Sequence, residues 1–248
     1  MASPEIKLRF ATLEDTETIA SVVAEAMSSV EVIRFIYEGR AEEYPEDHMD
    51  RWVHRIRSHI LDPNEAVVVA ERTFNLSGDG SSSLHGIVAV SIWTLKGPCV
   101  GIREAMVESR RKIGWVAPLW HAIYTRYRNW GLWFSPLKDA NEKRRATWLK
   151  LYERLVEKYY KPLPEYYHLE ILCTAEESRR TGTAKKMVEM FLDQAKPGRI
   201  PVGLESSGMA VPFYERLGFR RVDELTLADP EDPDGDKVSL PLYFYHYD

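Results

Sequence analysis

The stretch that decides the fold runs from Tyr167 to Ala195 and reads YHLEILCT (167–174), AEES (175–178), RRTGTA (179–184) and KKMVEMFLDQA (185–195). Apolar and β-forming side chains dominate the first segment, which predicts a buried strand. From Ala184 onward, apolar residues recur at offsets of 0, 3, 4, 7, 8 and 11, the pattern of a helix packed on a sheet. Lys196-Pro197-Gly198 predicts the end of that helix. The order is therefore strand, short polar turn, helix.

The turn before this helix contains Arg179, Arg180 and Gly182. A helix start offers unpaired backbone N–H groups and the positive end of the helix dipole, and both suit a phosphate. A glycine lets a ligand approach the backbone without a Cβ in the way. Two interpretations stay open, a phosphate-binding turn and an ordinary strand-to-helix turn that is basic. A Walker loop and a Rossmann fingerprint are excluded, since no Gly-Lys-Ser/Thr follows and only one glycine is present.

Two motifs resemble the GNAT superfamily of N-acetyltransferases. Arg179-x-x-Gly182-x-Ala184 is similar to the Q/R-x-x-G-x-G/A motif of the family, and LESSGMAVPFYERLGF (204–219) resembles the LEAS…PLYEKLGF segment of fungal members. Both lie in the order and spacing of the family, and the resemblance is strongest over residues 166–222. Ala184 departs from the commoner glycine. Two extra carboxylates in 175–178 predict somewhat weaker cofactor binding.

The resemblance implies a fold and a cofactor. The fold is α/β, a mixed and mostly antiparallel sheet flanked by helices, with 1–248 as one acetyltransferase domain and 166–222 as its acetyl-CoA-binding core. The backbone of Leu172, Cys173 and Thr174 would pair with the pantetheine arm like an extra strand. The residues that would wrap the pyrophosphate are Arg179, Arg180, Thr181, Gly182, Thr183, Ala184 and Lys185.

Acyl transfer from a thioester to an amine needs a neutral amine. A lysine-like amine with a pKa of about 10.4 costs roughly 4.6 kcal/mol to deprotonate at pH 7. His168 and Glu170 lie two apart on the predicted strand and therefore share a face. In histone-modifying relatives a strand glutamate that aligns with His168 is the base, but Glu170 is nearer to the thioester along the strand and is favoured here. A water chain, or polar residues merely satisfied within the sheet, are the alternatives.

The leaving thiolate needs a proton, and Tyr214 occupies the position where the family uses a tyrosine to supply it. A phenol with a pKa near 10 is protonated at neutral pH and can donate. The alternative is a tyrosine that packs in the core of a short amphipathic helix, as Phe213 and Leu217 are expected to do.

Residues 98–160 intervene between two strands that follow each other closely in the resembled fold. Three helical segments are predicted in this helical insertion, with Gly131 and Pro136 breaking its middle. It is rich in tryptophan and tyrosine. One interpretation is extra core that covers the sheet, and the other is a roof over the acceptor site.

The remaining periodicities predict the rest of the sheet and its helices. A capping-box-like start at 12–15 precedes a first helix, and a second helix covers about 47–61. A Gly/Ser/Asp loop at 75–83 predicts a hairpin. The remaining segments are strands at 7–11, 66–70, 86–95, 200–205, 219–228 and 238–247 and a short helix at 211–217.

The composition limits the classes of protein to which this sequence can belong. The 248 residues with 44% hydrophobic content can form one large domain, and a net charge of −5 with a pI of about 5.9 argues against bulk nucleic-acid binding. Cys99 and Cys173 without a signal peptide predict a reduced, cytoplasmic protein, with a nuclear location left open. No apolar run suggests a membrane span and no His/Cys cluster suggests a metal site.

Two function classes follow. The favoured one is an acetyl-CoA-dependent N-acetyltransferase acting by direct attack in a ternary complex, with a small-molecule amine favoured over a protein or peptide acceptor. The alternative is a non-catalytic acyl-CoA-binding sensor or interaction module of the same fold. The oligomeric state is left open.

Overall fold

A computed structural model describes residues 6–75, 83–235 and 237–247, so most of the loop predicted at 75–83 lies outside the described residues. Its strands form a seven-stranded sheet in the order β1-β2-β3-β4-β5-β7-β6, and only the β4–β5 pairing is parallel among the described strands. The predicted hairpin between the second and third strands is confirmed. The strands are β1 Ile6–Phe10, β2 Glu65–Asn75, β3 Ser83–Lys96, β4 Tyr166–Thr174, β5 Val202–Glu205, β6 Phe219–Leu227 and β7 Val238–Tyr245.

Helices cover both faces of this sheet, which confirms the predicted mixed α/β class. One core lies between the sheet and the helices α5, α8 and α9, and a second lies between the sheet and α1 and α4. A third cluster joins α2 and α7 to β6 and β7. The helices are α1 Thr16–Met27, α2 Glu31–Tyr37, α3 Arg40–Glu43, α4 Pro45–Leu61, α5 Val100–Ile113, α6 Val116–Phe134, α7 Glu142–Leu155, α8 Thr183–Ala195 and α9 Val211–Arg216.

Strands β4 and β5 separate in the middle of the sheet. Their parallel pairing covers Tyr167 to Leu169 only, while β4 continues to Thr174 against β3. At the same point the β3–β4 register shifts, since Ile92 pairs with Ile171 and Trp93 with Leu169. Glu170 is therefore the extra residue of a bulge, a feature that re-aims a side chain and bends its strand. The sheet opens on the β5 side of Glu170.

The insertion between β3 and β4 is helical, as predicted, and consists of α5, α6 and α7 with one π-helical turn at Val156–Tyr160. The prediction that Gly131 breaks its middle is wrong, because α6 passes through Gly131 and ends at Phe134. One glycine costs a helix only about 1 kcal/mol relative to alanine. Pro136, which cannot continue a helix, follows the true end.

The aromatic side chains of the insertion divide into two groups. Trp115, Trp120, Trp130 and Trp133 of the α6 region are 61–84% exposed, so the interpretation as core covering the sheet is wrong for them. The opposite, polar side of α6 faces α4, where His121 meets Ser58 at 3.0 Å. Because the contact between α6 and α4 is polar, the apolar side of α6 faces solvent. Trp148 and Tyr152 of α7, in contrast, line a cavity between the helices and the sheet.

The contrast in burial predicts a contrast in stability. Trp93 is fully buried and stacks on Phe191 with ring centroids 4.0 Å apart, whereas Trp120 is 65% exposed. Trp93→Ala should lower the free energy of unfolding by about 3–5 kcal/mol, because it removes buried surface and leaves a cavity. Trp120→Ala should change it by less than about 0.5 kcal/mol. Urea unfolding of both variants measures this, and equal losses would contradict the assigned burial.

Candidate functional site

The turn before α8 has the shape of an anion cradle. Gly182 adopts a left-handed conformation with φ +84° at the N-cap, and a Cβ built there would meet open space. Thr181 Oγ1 lies 2.7 Å from the Ser178 carbonyl and 2.8 Å from Thr183 Oγ1, which fixes the turn. The first N–H groups of α8 have no acceptor within the helix. A positive φ, free donors and open space together suit a phosphate.

Positive charge surrounds this turn. Arg179 and Arg180 are both exposed, and neither guanidinium has an ion-pair or hydrogen-bond partner within the described ranges. Lys185 lies 3.5 Å from Glu189 one helical turn later and is also exposed. The nearby Glu176 and Glu177 form no ion pair with the arginines, so the cationic groups remain available to an anionic ligand.

The open edge of β4 lies between this turn and the middle of the sheet. Residues 172–174 pair with β3 on one side, while the pairing with β5 has already stopped at Leu169. Their outer backbone edge is therefore free to bond an extended ligand as an additional strand. The Cys173 side chain points away into the core with α1 and α4, where burial raises the pKa of its thiol to about 12.

A cavity of about 470 Å³ lies where β4 and β5 separate. Its sheet wall contains Glu170 and Leu172, and Tyr214 of α9 lies beside them. Helices α2, α4 and α7 enclose the opposite side, with Trp148 and Tyr152 contributed by the insertion. The structure thus brings the predicted Glu170 and Tyr214 to one cavity, next to the predicted cofactor turn and strand edge.

Glu170 is held in this cavity as an ionised acceptor. Thr94 Oγ1 donates a hydrogen bond to its carboxylate. Burial raises the pKa of Glu170, but the nearby His59 and His168, the Thr94 hydrogen bond and Arg55 outweigh burial and hold the pKa below its usual value. The carboxylate therefore stays charged through the neutral range and can accept a hydrogen bond from an ammonium or a water.

Tyr214 is 6% exposed, and its ring makes edge contacts with Phe213 and Phe219. Its hydroxyl has no hydrogen-bond partner among the described residues. Burial raises the pKa of Tyr214 above the usual value of a phenol, so the hydroxyl stays protonated at neutral pH. The side chain packs in the core and is among the residues that line the cavity, and its role as proton donor remains a prediction.

His168 does not line the cavity. It is buried, its Nε2 lies 2.9 Å from Glu205 Oε2, and its Nδ1 lies 3.3 Å from the Tyr152 hydroxyl. Burial lowers the pKa of His168, but the charge and hydrogen bond of Glu205 and the charge of Glu170 outweigh burial and raise the pKa. The proposed base role of His168 remains a prediction, since His168 reaches the cavity only through Tyr152 and Glu205.

Glu205 is a cavity residue that the sequence does not single out. It lies at the end of β5, and it accepts from the Tyr160 hydroxyl at 3.2 Å as well as bonding His168. A carboxylate at the end of an otherwise apolar four-residue strand was the available signal. The cavity therefore contains two carboxylates on its sheet side.

Part of the chain matches the model of a known family. Residues 159–229, which contain β4, the turn, α8, β5 and α9, match the acetyltransferase (GNAT) domain.

This segment of the chain is similar to a GNAT acetyltransferase domain.

A curated relative supports this over most of the length. An acetyltransferase from the fungus Stachybotrys chartarum is 23% identical over 250 residues, covering 97% of this chain and 91% of the relative. The predicted GNAT resemblance and the acyltransferase class are thereby confirmed.

Solved structures agree with the GNAT fold. A polyamine N-acetyltransferase from Drosophila melanogaster is 14% identical with a TM-score of 0.50, and an agmatine N-acetyltransferase is 15% identical with a TM-score of 0.52. Each match covers 98% of this chain and 100% of the solved one. At this identity the likeness concerns the fold.

Among the residues that the structure describes, no helix combines the length and apolar character needed to cross a membrane. Within the same residues no group of His, Cys, Asp and Glu side chains is arranged to hold a metal ion.

Proposed function

We propose that this protein transfers an acetyl group from acetyl-CoA to a primary amine of a small molecule. The observation that carries the proposal is that Glu170 and Tyr214, one ionised acceptor and one protonated donor, line the same cavity where β4 leaves β5. The GNAT domain supports the reaction class. The residues around the cavity support the assignment of roles.

Acetyl-CoA fits the groups beside the cavity and supplies the acyl group when bound. The free N–H groups at the start of α8, the open space at Gly182 and the unpaired Arg179 and Arg180 suit a pyrophosphate. The open edge of 172–174 suits an amide-containing arm. Both groups lead toward the cavity, which supports the predicted set of cofactor-binding residues.

In the proposed reaction, the amine nitrogen forms a bond to the thioester carbonyl carbon, and the carbon–sulfur bond then breaks. Glu170 receives the amine proton, directly or through a water, and orients the amine beforehand. Tyr214 gives its hydroxyl proton to the departing thiolate. His168 supports Glu205 and Tyr152 from behind the cavity wall and is a positioning residue in this scheme.

Direct attack on the thioester is favoured over a covalent cysteine intermediate. Burial raises the pKa of Cys99 to about 11 and that of Cys173 to about 12, so almost no thiolate exists at neutral pH. Neither sulfur lines the cavity of 470 Å³. A ternary complex in which the amine meets the thioester directly is consistent with this arrangement.

A small acceptor is favoured because helices α2, α4 and α7 cover part of the cavity opposite the sheet. The polyamine and agmatine acetyltransferases with the same fold act on small amines, as their names state. We place the protein in the cytoplasm on its two free, buried cysteines.

The experiment that separates an enzyme from a binding module is an acceptor screen. The pure protein is incubated with acetyl-CoA and a panel of amines while free thiol is followed and the amines are analysed by mass spectrometry. Thiol release matched by acetylated amine supports the transferase. Acetyl-CoA binding without turnover of any amine favours the sensor or interaction module.

Tyr214→Phe should lower turnover by about 100-fold, because it keeps the buried ring and removes the proton donor. Acetyl-CoA binding should stay close to wild type, since the hydroxyl matters mainly as the thiolate leaves. Tyr243→Phe is the matched control, because that buried tyrosine bonds Glu215 away from the cavity. Steady-state thiol release measures the effect, and equal rates for the two variants would reduce Tyr214 to a packing residue.

A further inference from the structure

The helical wall of the cavity carries three arginines, Arg51 and Arg55 on α4 and Arg145 on α7. Two of them are paired. Arg51 Nη2 lies 2.6 Å from Asp139 Oδ1, and Arg145 Nε lies 2.7 Å from Glu142 Oε2. Arg55, by contrast, has no carboxylate within ion-pair distance among the residues that the structure describes. The wall therefore presents one unbalanced positive charge.

Other contacts hold the Arg55 side chain in place. Its Nε donates to His59 Nε2 at 3.3 Å, and its guanidinium lies over the Trp52 ring, 5.3 Å from the centroid. His59 in turn bonds Glu65 through Nδ1, which fixes the imidazole. These contacts use the inner nitrogen and one face of the guanidinium. The terminal nitrogens stay available, and a planar guanidinium with free terminal nitrogens binds a carboxylate in a bidentate manner.

Opposite charges thus lie on opposite sides of the cavity. Glu170 and Glu205 lie on its sheet side, and Arg55 lies on its helical side. Arg55 is close enough to Glu170 to help lower the pKa of that carboxyl, yet the two form no ion pair. Trp148 and Tyr152 also line the cavity. Arg55 is also exposed, so a ligand reaches it without crossing the core.

We propose that the acceptor is an amine that also carries a carboxylate, and that Arg55 binds this carboxylate while Glu170 faces the amine. This inference rests on the proposed function, because it names the class of acceptor for the same cavity. A polyamine would fit poorly, since its second ammonium would lie against the unbalanced guanidinium. Like charges in contact are unfavourable even in high dielectric. The selectivity is thus opposite to that expected for a polyamine acetyltransferase.

The test compares ω-amino acids with diamines of the same chain length as acceptors. The wild-type protein should give a higher kcat/KM for the amino acid at the best length. Arg55→Gln should lower kcat/KM for amino acids by about 10- to 100-fold, the loss of one charge-assisted hydrogen-bonded contact, and should change diamines little or improve them. The kcat/KM of Arg55→Lys for amino acids should lie between the values of the wild type and Arg55→Gln. Arg57→Gln, on the same helix but outside the cavity lining, is the matched control.

A binding measurement keeps this inference separate from the proposed function. The melting temperature is recorded with CoA and either the amino acid or the diamine, in wild type, Arg55→Gln and Arg55→Lys. An Arg55-dependent rise with the amino acid but no turnover would reject the transferase and support the anion site. Turnover that favours diamines, or an equal loss for both acceptors in Arg55→Gln, would overturn the inference and leave the transferase standing. The absence of both turnover and an Arg55-dependent rise would overturn both.

Discussion

Gly182→Asp should abolish the rise in melting temperature that acetyl-CoA gives the wild-type protein. A ligand that binds only the folded state stabilises it by about 2.7 kcal/mol at 100 times its Kd. In the variant, a carboxylate would stand at the helix start, in space that is open beside Gly182. Two like charges about 4 Å apart repel by about 4 kcal/mol at an effective dielectric constant near 20, which corresponds to roughly a thousandfold loss of affinity.

The matched control for this variant is Gly182→Asn. Gly182 has φ +84°, a conformation that costs any residue with a Cβ, and asparagine and aspartate tolerate it better than most. Asparagine has the size of aspartate but no charge. It should therefore keep a clear part of the acetyl-CoA shift, and both variants should share the same loss of stability without ligand. An undiminished shift in Gly182→Asp would place the pyrophosphate away from the α8 turn.

Glu170→Gln should lower turnover by about 100- to 10,000-fold at neutral pH and below, since glutamine keeps the size and hydrogen bonding of glutamate but cannot take a proton. The deficit should shrink as pH rises toward the amine pKa of about 10.4, because the amine then loses its proton unaided. The measurement is a pH–rate profile of both proteins on any accepted amine. A profile parallel to wild type at every pH would remove Glu170 as the base and leave His168 or a water chain.

The direction of the Glu170 pKa shift makes this profile interpretable. A carboxyl whose pKa in the folded protein lies below its unfolded value is ionised throughout the neutral range, and it regains its proton only as the pH falls through that lowered value. Wild-type titration between about pH 6 and pH 10 therefore does not report Glu170, and the groups that titrate there are the amine and His168, whose pKa is raised. Glu153→Gln, at an exposed position of α7, is the control for the substitution itself.

The local parts of this fold could be predicted from the sequence. The β4–turn–α8 unit follows from alternating and helical periodicities over one short stretch, and its boundaries in the structure differ by a residue. Gly182 at the N-cap likewise follows from its place between the arginines and the apolar stripe. Such features depend on residues that are close along the chain, and the spacing of apolar residues reflects this local structure.

The parts that depend on distant contacts could not be predicted. Glu205 is 37 residues from His168, and only the sheet order brings the two together. The bulge at Glu170 arises from the shifted β3–β4 register, for which the sequence of β4 gives no turn residue or glycine. The paired or unpaired state of Arg51 and Arg55 depends on Asp139, far along the chain. A hydrophobic pattern cannot specify such pairings.

The burial of the aromatic residues in the insertion also could not be predicted from the sequence. Trp120 and Trp148 both lie on amphipathic helices, and tryptophans are usually buried. The structure exposes the first and places the second in the cavity wall. The difference comes from α6 turning its polar side toward α4, while α7 packs on α2 and β6. Periodicity defines the apolar side of a helix but not the element that covers it.

A crystal structure of the protein with CoA tests whether the cofactor binds where β4 and β5 separate. We expect the pyrophosphate at the start of α8 around Gly182 and the pantetheine arm along residues 172–174. It also predicts the sulfur in the cavity, between the Glu170 carboxylate and the Tyr214 hydroxyl. A sulfur outside that cavity, or a CoA bound away from the separation of β4 and β5, would contradict it.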